Sequence, residues 1–227
     1  MTGKIGRAAR GLIVVGLFAI AMAYVEAAVV VYLRAMYGID DLLRDMPLRP
    51  DRYTPIEIGR EAATLVMLAV IGWATGRRWQ DRIGYAAFAF GLWDIFYYGW
   101  LVIFIGWPRT LLDWDVLFFI PLPWWGPVLS PMLIALLLVV GGALAVIKAE
   151  RGGAMRFAFL EWGMAGASVL LTLSVFTTDA LRALPGGVEA VNRARPAEFN
   201  WLLFLVALAG MAYSLLRGLR SGAGGQD

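Results

Sequence analysis

Residues 127–147 read Pro-Val-Leu-Ser-Pro-Met-Leu-Ile-Ala-Leu-Leu-Leu-Val-Val-Gly-Gly-Ala-Leu-Ala-Val-Ile. Ser130 is the only polar side chain in the run, and no charge follows until Lys148. At about 1.5 Å per residue a helix of this length covers about 30 Å, the hydrocarbon thickness of a bilayer. A helix that is apolar on every face for so long belongs in lipid or deep in a large core.

Five further runs of the same kind lie on either side: 11–33, 56–76, 83–106, 157–177 and 200–217. The chain is 60% hydrophobic and only 16% charged, where soluble domains hold about 45–50% and about 25%. The expected fold is therefore all-α: one integral membrane domain over 1–227, a bundle of six transmembrane helices. A short interfacial or re-entrant segment, 107–126, falls between helices 3 and 4.

Lys and Arg in short loops orient such a bundle. Lys4, Arg7 and Arg10 precede the first span; Arg77, Arg78 and Arg82 fill a six-residue loop; Lys148, Arg151 and Arg156 fill a nine-residue loop; Arg217 and Arg220 close the last span. Alternating spans put these eleven charges on one side, so both termini are expected in the cytoplasm, with the chain in a bacterial-type inner membrane. The start also resembles a cleavable signal peptide, through Lys4, Arg7, Arg10 and Ala21-Met22-Ala23. The apolar run continues past that site to Leu33, which favours an uncleaved first span. The outer loops, 34–55, 107–126 and 178–199, are 22, 20 and 22 residues long, a length that usually carries structure or function. Asp40–Met46 and Val188–Arg195 each have the pattern of a short amphipathic surface helix.

Segment 107–126 holds Trp107, Trp114, Trp124 and Trp125, side chains suited to the headgroup level. Its apolar core, 116–120, is too short to span, and Pro121 and Pro123 end any helix. The expectation is a helix that lies in the interface or dips into it.

Charged side chains inside spans are costly and are functional candidates by default. Apart from Arg217, which closes the last span, six occur: Glu26, Glu57, Arg60, Glu61, Asp94 and Glu161. Thr54-Pro55-Ile56-Glu57 has the pattern of a capping box, which accounts for Glu57. Glu161 sits near a helix start, where the dipole supports an anion. Glu26, Glu61 and Asp94 lack such local support. By helical rise they lie about 12 Å below Arg34, about 9 Å below Pro55 and about 18 Å below Gly106, so they can meet.

Small residues share their stripes: Gly16, Ala19 and Ala23 with Glu26; Gly84, Ala87 and Gly91 with Asp94 and Tyr98. Span two carries Glu57, Glu61, Thr64, Leu68, Gly72 and Thr75 on one face, with Gly72 and Gly76 forming GxxxG, a close-packing pattern. Span five repeats the theme with Glu161, Ala165, Ser168 and Thr172. Span four, polar only at Ser130, is expected to face lipid.

The absence of His and Cys excludes His- or Cys-ligated metal sites, thiol chemistry and a Ser-His-Asp triad. Lys4 and Lys148 sit at span ends, which leaves no mid-membrane Schiff base. GxxxxGK[ST], GxGxxG and GxSxG are missing, carboxylates show no spaced metal signature, and basic residues that flank spans are no nucleic-acid footprint. No metal, cofactor or nucleic acid is expected. The expected partners are the bilayer and a small-molecule or lipid-soluble substrate, and the composition is compatible with a homo-oligomer or a complex subunit.

What remains is carboxylate chemistry. Glu26, Glu61 and Asp94 are the candidate coupling or acid/base groups, with Tyr97 and Tyr98 supplying hydroxyls. Arg60 is the counter-ion, and Trp93, Trp100, Asp115, Trp124 and Trp125 complete the candidate binding set. The leading expectation is a small proton-coupled transporter or permease with an outward-opening cavity lined by spans one, two, three and five. One alternative is a membrane-embedded acid–base enzyme on an isoprenoid or lipid; another is a structural subunit of a membrane complex. Trp93-Asp94-Ile95-Phe96-Tyr97 resembles the Trp-acid-x-x-Tyr of small membrane-bound terpene cyclases. The resemblance covers five residues and implies an enzyme with Asp94 as acid; that family's acid in a late helix has no counterpart in span six.

Overall fold

The computed structural model describes residues 6–45, 51–120, 122–196 and 198–221. Lys4, Met46 and Pro121, used above, lie outside them. Among the described residues, eight α-helices and one β-hairpin follow in order: α1 Arg7–Tyr37, α2 Leu42–Asp45, α3 Thr54–Thr75, α4 Trp79–Ile105, β1 Trp114–Phe118, β2 Trp124–Pro127, α5 Leu129–Glu150, α6 Phe159–Ala183, α7 Gly187–Arg193 and α8 Trp201–Arg220. Six of the helices are long and apolar enough to cross a membrane, one at each expected span. Left-handed glycines, Gly38 and Gly106 (both φ 64°), end α1 and α4, a conformation that costs glycine nothing.

The core is built around α4, which packs against α5, α1 and α3, while α6 and α8 pair with each other. Glycine sets the closest approaches. A Cβ on Gly142 of α5 would lie 2.5 Å from the Gly84 carbonyl oxygen and 2.7 Å from the Phe88 nitrogen. One on Gly91 would strike the Ala135 carbonyl. The expectation that span four faces lipid is thus overturned: α5 buries Ala135, Gly141, Gly142 and Ala145, and small residues rather than polar ones make the contact. Gly84 and Gly91, expected to support the acid cluster, serve this seam instead. The GxxxG of α3 does pack on α4, since a Cβ at Gly72 or Gly76 would lie 2.5 Å from backbone atoms of Arg82.

One end of the bundle is tied by polar contacts. The Ala8 N–H donates to Glu150 (2.9 Å), Gln80 donates to the Ala145 carbonyl (2.9 Å), and Lys148 Nζ donates to the Leu219 carbonyl (2.5 Å). The starts of α1 and α4 and the ends of α5 and α8 therefore gather together with the short basic loops, and the Glu161–Arg217 pair (3.4 Å) brings the start of α6 to the same end. The long loops gather at the other end. Large apolar side chains, including Leu17, Val25, Ile103, Leu170 and Leu202, stand exposed along the outside.

The segment 107–126 is a second correction: it folds as an antiparallel hairpin, not an interfacial helix. Its register pairs Trp114 with Pro127, Asp115 with Gly126, Val116 with Trp125 and Phe118 with Trp124, with an irregularity between Val116 and Phe118. Val and aromatic residues favour the pleated conformation, and proline is excluded from a helix interior. The expected capping box at Thr54 is also absent. Asp51 instead orders the turn just ahead of α3, accepting from the N–H groups of Tyr53 (2.9 Å) and Thr54 (3.1 Å). The expected surface helices appear as α2 and α7.

Gly142→Ala is expected to lower the thermal melting temperature in detergent, because the seam must open at a cost of about 1–3 kcal/mol. Gly99→Ala, on the same seam-forming α4 but with open space around its Cβ, should leave it unchanged or raise it.

Candidate functional site

A cavity of about 220 Å³ enters the bundle at the long-loop end, lined by α1, α3, α4, the hairpin and residues 191–195. Its depth follows from helical rise: Glu26 to Tyr37 on α1, and Thr54 to Thr64 on α3, each span about 15 Å. The floor is formed by Glu26, Trp93, Asp94, Glu61 and Thr64, the mouth by Tyr37, Tyr53, Thr54, Asn192 and Arg195.

Glu26, Glu61 and Asp94 thus face one space, as do Arg60, Tyr97, Tyr98, Trp93, Asp115 and Trp125. Two residues of the expected set do not. Trp100 turns to α1, donating to the Ile20 carbonyl (3.2 Å) and packing on Tyr24 and Phe104. Trp124 stacks on Phe176 of α6. The polar stripe of α6 also lies elsewhere: Glu161 accepts from the Ala158 N–H (2.8 Å) and pairs with Arg217 (3.4 Å), and Ser168 meets Gly210 of α8. The chain following α6 reaches the cavity through residues 191–195 rather than through the expected face of span five.

The acids differ in their surroundings. Arg60 pairs with Glu26 across the α1–α3 interface and donates to both oxygens of Glu57 (2.9 and 2.5 Å) on its own helix. Glu61 is 5% exposed and accepts the Phe119 N–H at 3.1 Å on each oxygen, so it holds the hairpin to α3. Asp115 accepts from the Tyr98 hydroxyl (3.0 Å) and lies 3.9 Å from Arg34, whose guanidinium stacks on Trp107. Burial pushes the Asp115 carboxyl up to about 6, against the opposing pull of Arg34 and the Tyr98 hydrogen bond. Among the described residues Asp94 makes no hydrogen bond and no ion pair. Beside it, the Trp93 indole N–H is buried with no partner.

Three participants escaped the sequence reading. Sequence reasoning assigns Glu57 to a cap, Arg34 to a span boundary and Arg195 to the end of a surface helix. Arg34 lies eight residues after Glu26, on the same helical stripe, and that spacing was available. Arg195, which donates to the carbonyls of Leu43 (3.0 Å) and Asn192 (2.8 Å), depends on tertiary folding.

This arrangement holds several carboxyl groups in fixed pairs and leaves one carboxyl open to the cavity. It can bind a cation or a proton at Asp94, or divide acid and base roles between Asp94 and a neighbour. Comparison with known proteins gives no match to any family model, any curated protein or any solved structure. The terpene-cyclase resemblance therefore rests on residues 93–97 alone.

Glu61→Ala removes the acceptor for Phe119, and amide exchange at Phe119 should accelerate by about tenfold or more, given about 1–3 kcal/mol for such a bond; Glu61→Gln should recover part of the protection. For Asp115 the sign follows from its raised value. Between about pH 4 and about pH 6 the folded state holds more protons at this carboxyl than the unfolded chain, so its contribution to stability falls as pH rises. Asp115→Asn fixes the neutral form. Its melting temperature should match the wild type near about pH 4 and exceed it above about pH 6.

Proposed function

We propose that this protein is a six-span membrane protein of the bacterial inner membrane that works as a small proton-coupled transporter. The apolar exterior supports insertion in lipid, and the basic residues gathered at one end support cytoplasmic termini. Arg82, stacked between Trp73 (3.7 Å) and Trp79 (5.6 Å), suits an aromatic belt at that end. The cavity then opens outward.

One observation carries the transport reading: an unpartnered carboxyl, Asp94, shares a single cavity with the Glu26–Arg60–Glu57 group and Glu61. A proton and a solute that compete for the same carboxyl are coupled without further machinery. Below the floor, Val15, Ala19 and Ala23 of α1 and Ala89 of α4 are buried in the packed core, which suits an outward-open arrangement. The acid–base enzyme remains the second reading, favoured by the apolar wall of Val116, Leu117, Phe118 and Phe119 beside the Tyr98–Asp115 pair.

Reconstituted in liposomes, the protein should drive solute uptake on an imposed pH gradient. Asp94→Asn should abolish that uptake while thermal stability is retained. Gradient-driven uptake that survives in Asp94→Asn would overturn the coupling role. Turnover of a lipid-soluble substrate with no flux of any solute would favour the enzyme.

A further inference from the structure

Resting on the transport reading, we infer that the cavity takes a small organic cation, an amine or quaternary ammonium that also carries an oxygen acceptor. The charge count points there first. Six carboxyl side chains line the cavity, Asp51 near the mouth being the sixth, against three guanidiniums, those of Arg34, Arg60 and Arg195. Each of the three already faces carboxylates or carbonyls. Arg60 is held between two glutamates, Arg34 lies on Trp107 with its charge balanced by Asp115 at 3.9 Å although its Nε and Nη2 make no hydrogen bond among the described residues, and Arg195 donates to backbone carbonyls. An anionic ligand would meet the excess of carboxylates, and a neutral one would leave Asp94 without a counter-charge.

The walls supply the second argument. Trp93, Tyr97, Tyr98, Phe118, Phe119 and Trp125 line the space, and aromatic faces attract ammonium and guanidinium groups. One of these rings already does so: the Arg195 guanidinium lies 5.6 Å from the Trp125 centroid. The third argument fixes the acceptor. Trp93 is 6% exposed, lines the floor next to Asp94 and keeps its indole N–H unpartnered. Buried donors are normally satisfied, so a ligand oxygen opposite this N–H completes the site. The volume of about 220 Å³ falls below the about 300–1,000 Å³ of drug-sized pockets, which limits the ligand to a compact molecule.

The test uses four probes and calorimetry on the purified full-length protein at alkaline pH. Choline carries a quaternary ammonium and a hydroxyl oxygen; tetramethylammonium lacks the oxygen; dimethylbutanol is the neutral isostere of choline; dimethylbutyrate is an anion of similar shape. Choline is expected to bind. The charged groups that share the cavity with Asp94 are Glu26 and Arg34 of α1, Asp51 ahead of α3, Glu57, Arg60 and Glu61 of α3, Asp115 of the hairpin and Arg195 after α7. Asp94→Asn should weaken choline by about tenfold or more, the weight of a charge-assisted contact. Trp93→Phe should weaken choline but not tetramethylammonium. The comparison of the four probes uses the wild type alone and stays readable if Asp94→Asn fails to fold. Binding of the neutral or anionic probe as tightly as choline, or no binding of either cation, would overturn the inference. Cation binding without flux would leave the ligand class standing and sink transport; gradient-driven flux of a neutral solute or anion would do the reverse.

Discussion

Arg60 sets the plan of the site by standing between Glu26 on α1 and Glu57 on its own helix. Each of these charges, buried alone in an apolar bundle, would cost several kcal/mol, roughly. Held together they offset one another, but only if α1 and α3 meet at this level. The meeting point becomes the cavity floor. It also makes Asp94 distinctive: the neighbouring acids have a guanidinium, a hydroxyl or an N–H group, and Asp94 faces the space between them.

The scaffold divides its labour by residue size. Glycine and alanine bring α4 and α5 to backbone contact, which fixes the helix that carries Trp93, Asp94, Tyr97 and Tyr98. Bulky and charged residues are kept for the face of α4 that meets α1 and α3, where space remains between the helices at the level of the cavity. The hairpin and the 191–195 segment then roof that space, joined by Arg195 over Trp125. A rigid seam on one side and a built-up wall on the other leave a cavity between them.

Much of this was legible from helical spacing. Runs of about 20 apolar residues identify spans because bilayer thickness sets their length. Glu26, Glu61 and Asp94 emerge because a charge in such a run has few ways to be tolerated. The hairpin was not legible. Val116–Phe119 is a short apolar run between prolines, which periodicity cannot assign to helix or strand. The role of α5 was missed for a related reason: a helix apolar all round has no preferred face, and its glycines mark contact only once a partner is known. Asp115 was singled out from its neighbourhood, yet its partners Tyr98 and Arg34 come from two different helices. Trp100 and Trp124 show the converse, for an indole suited to a binding wall is equally suited to packing.

The bond between Glu61 and Phe119 has a consequence for sequence variation. The acceptor is a side chain, but the donor is main chain. Such a contact is blind to what residue 119 is, provided it keeps an N–H group. Drift at that position can remodel the wall of the cavity, exchanging a phenyl ring for an aliphatic or polar group, without loosening the hairpin from α3. Only proline is forbidden. The attachment of the roof and the chemistry of its inner surface are therefore separable, so one anchoring glutamate can serve cavities lined in different ways.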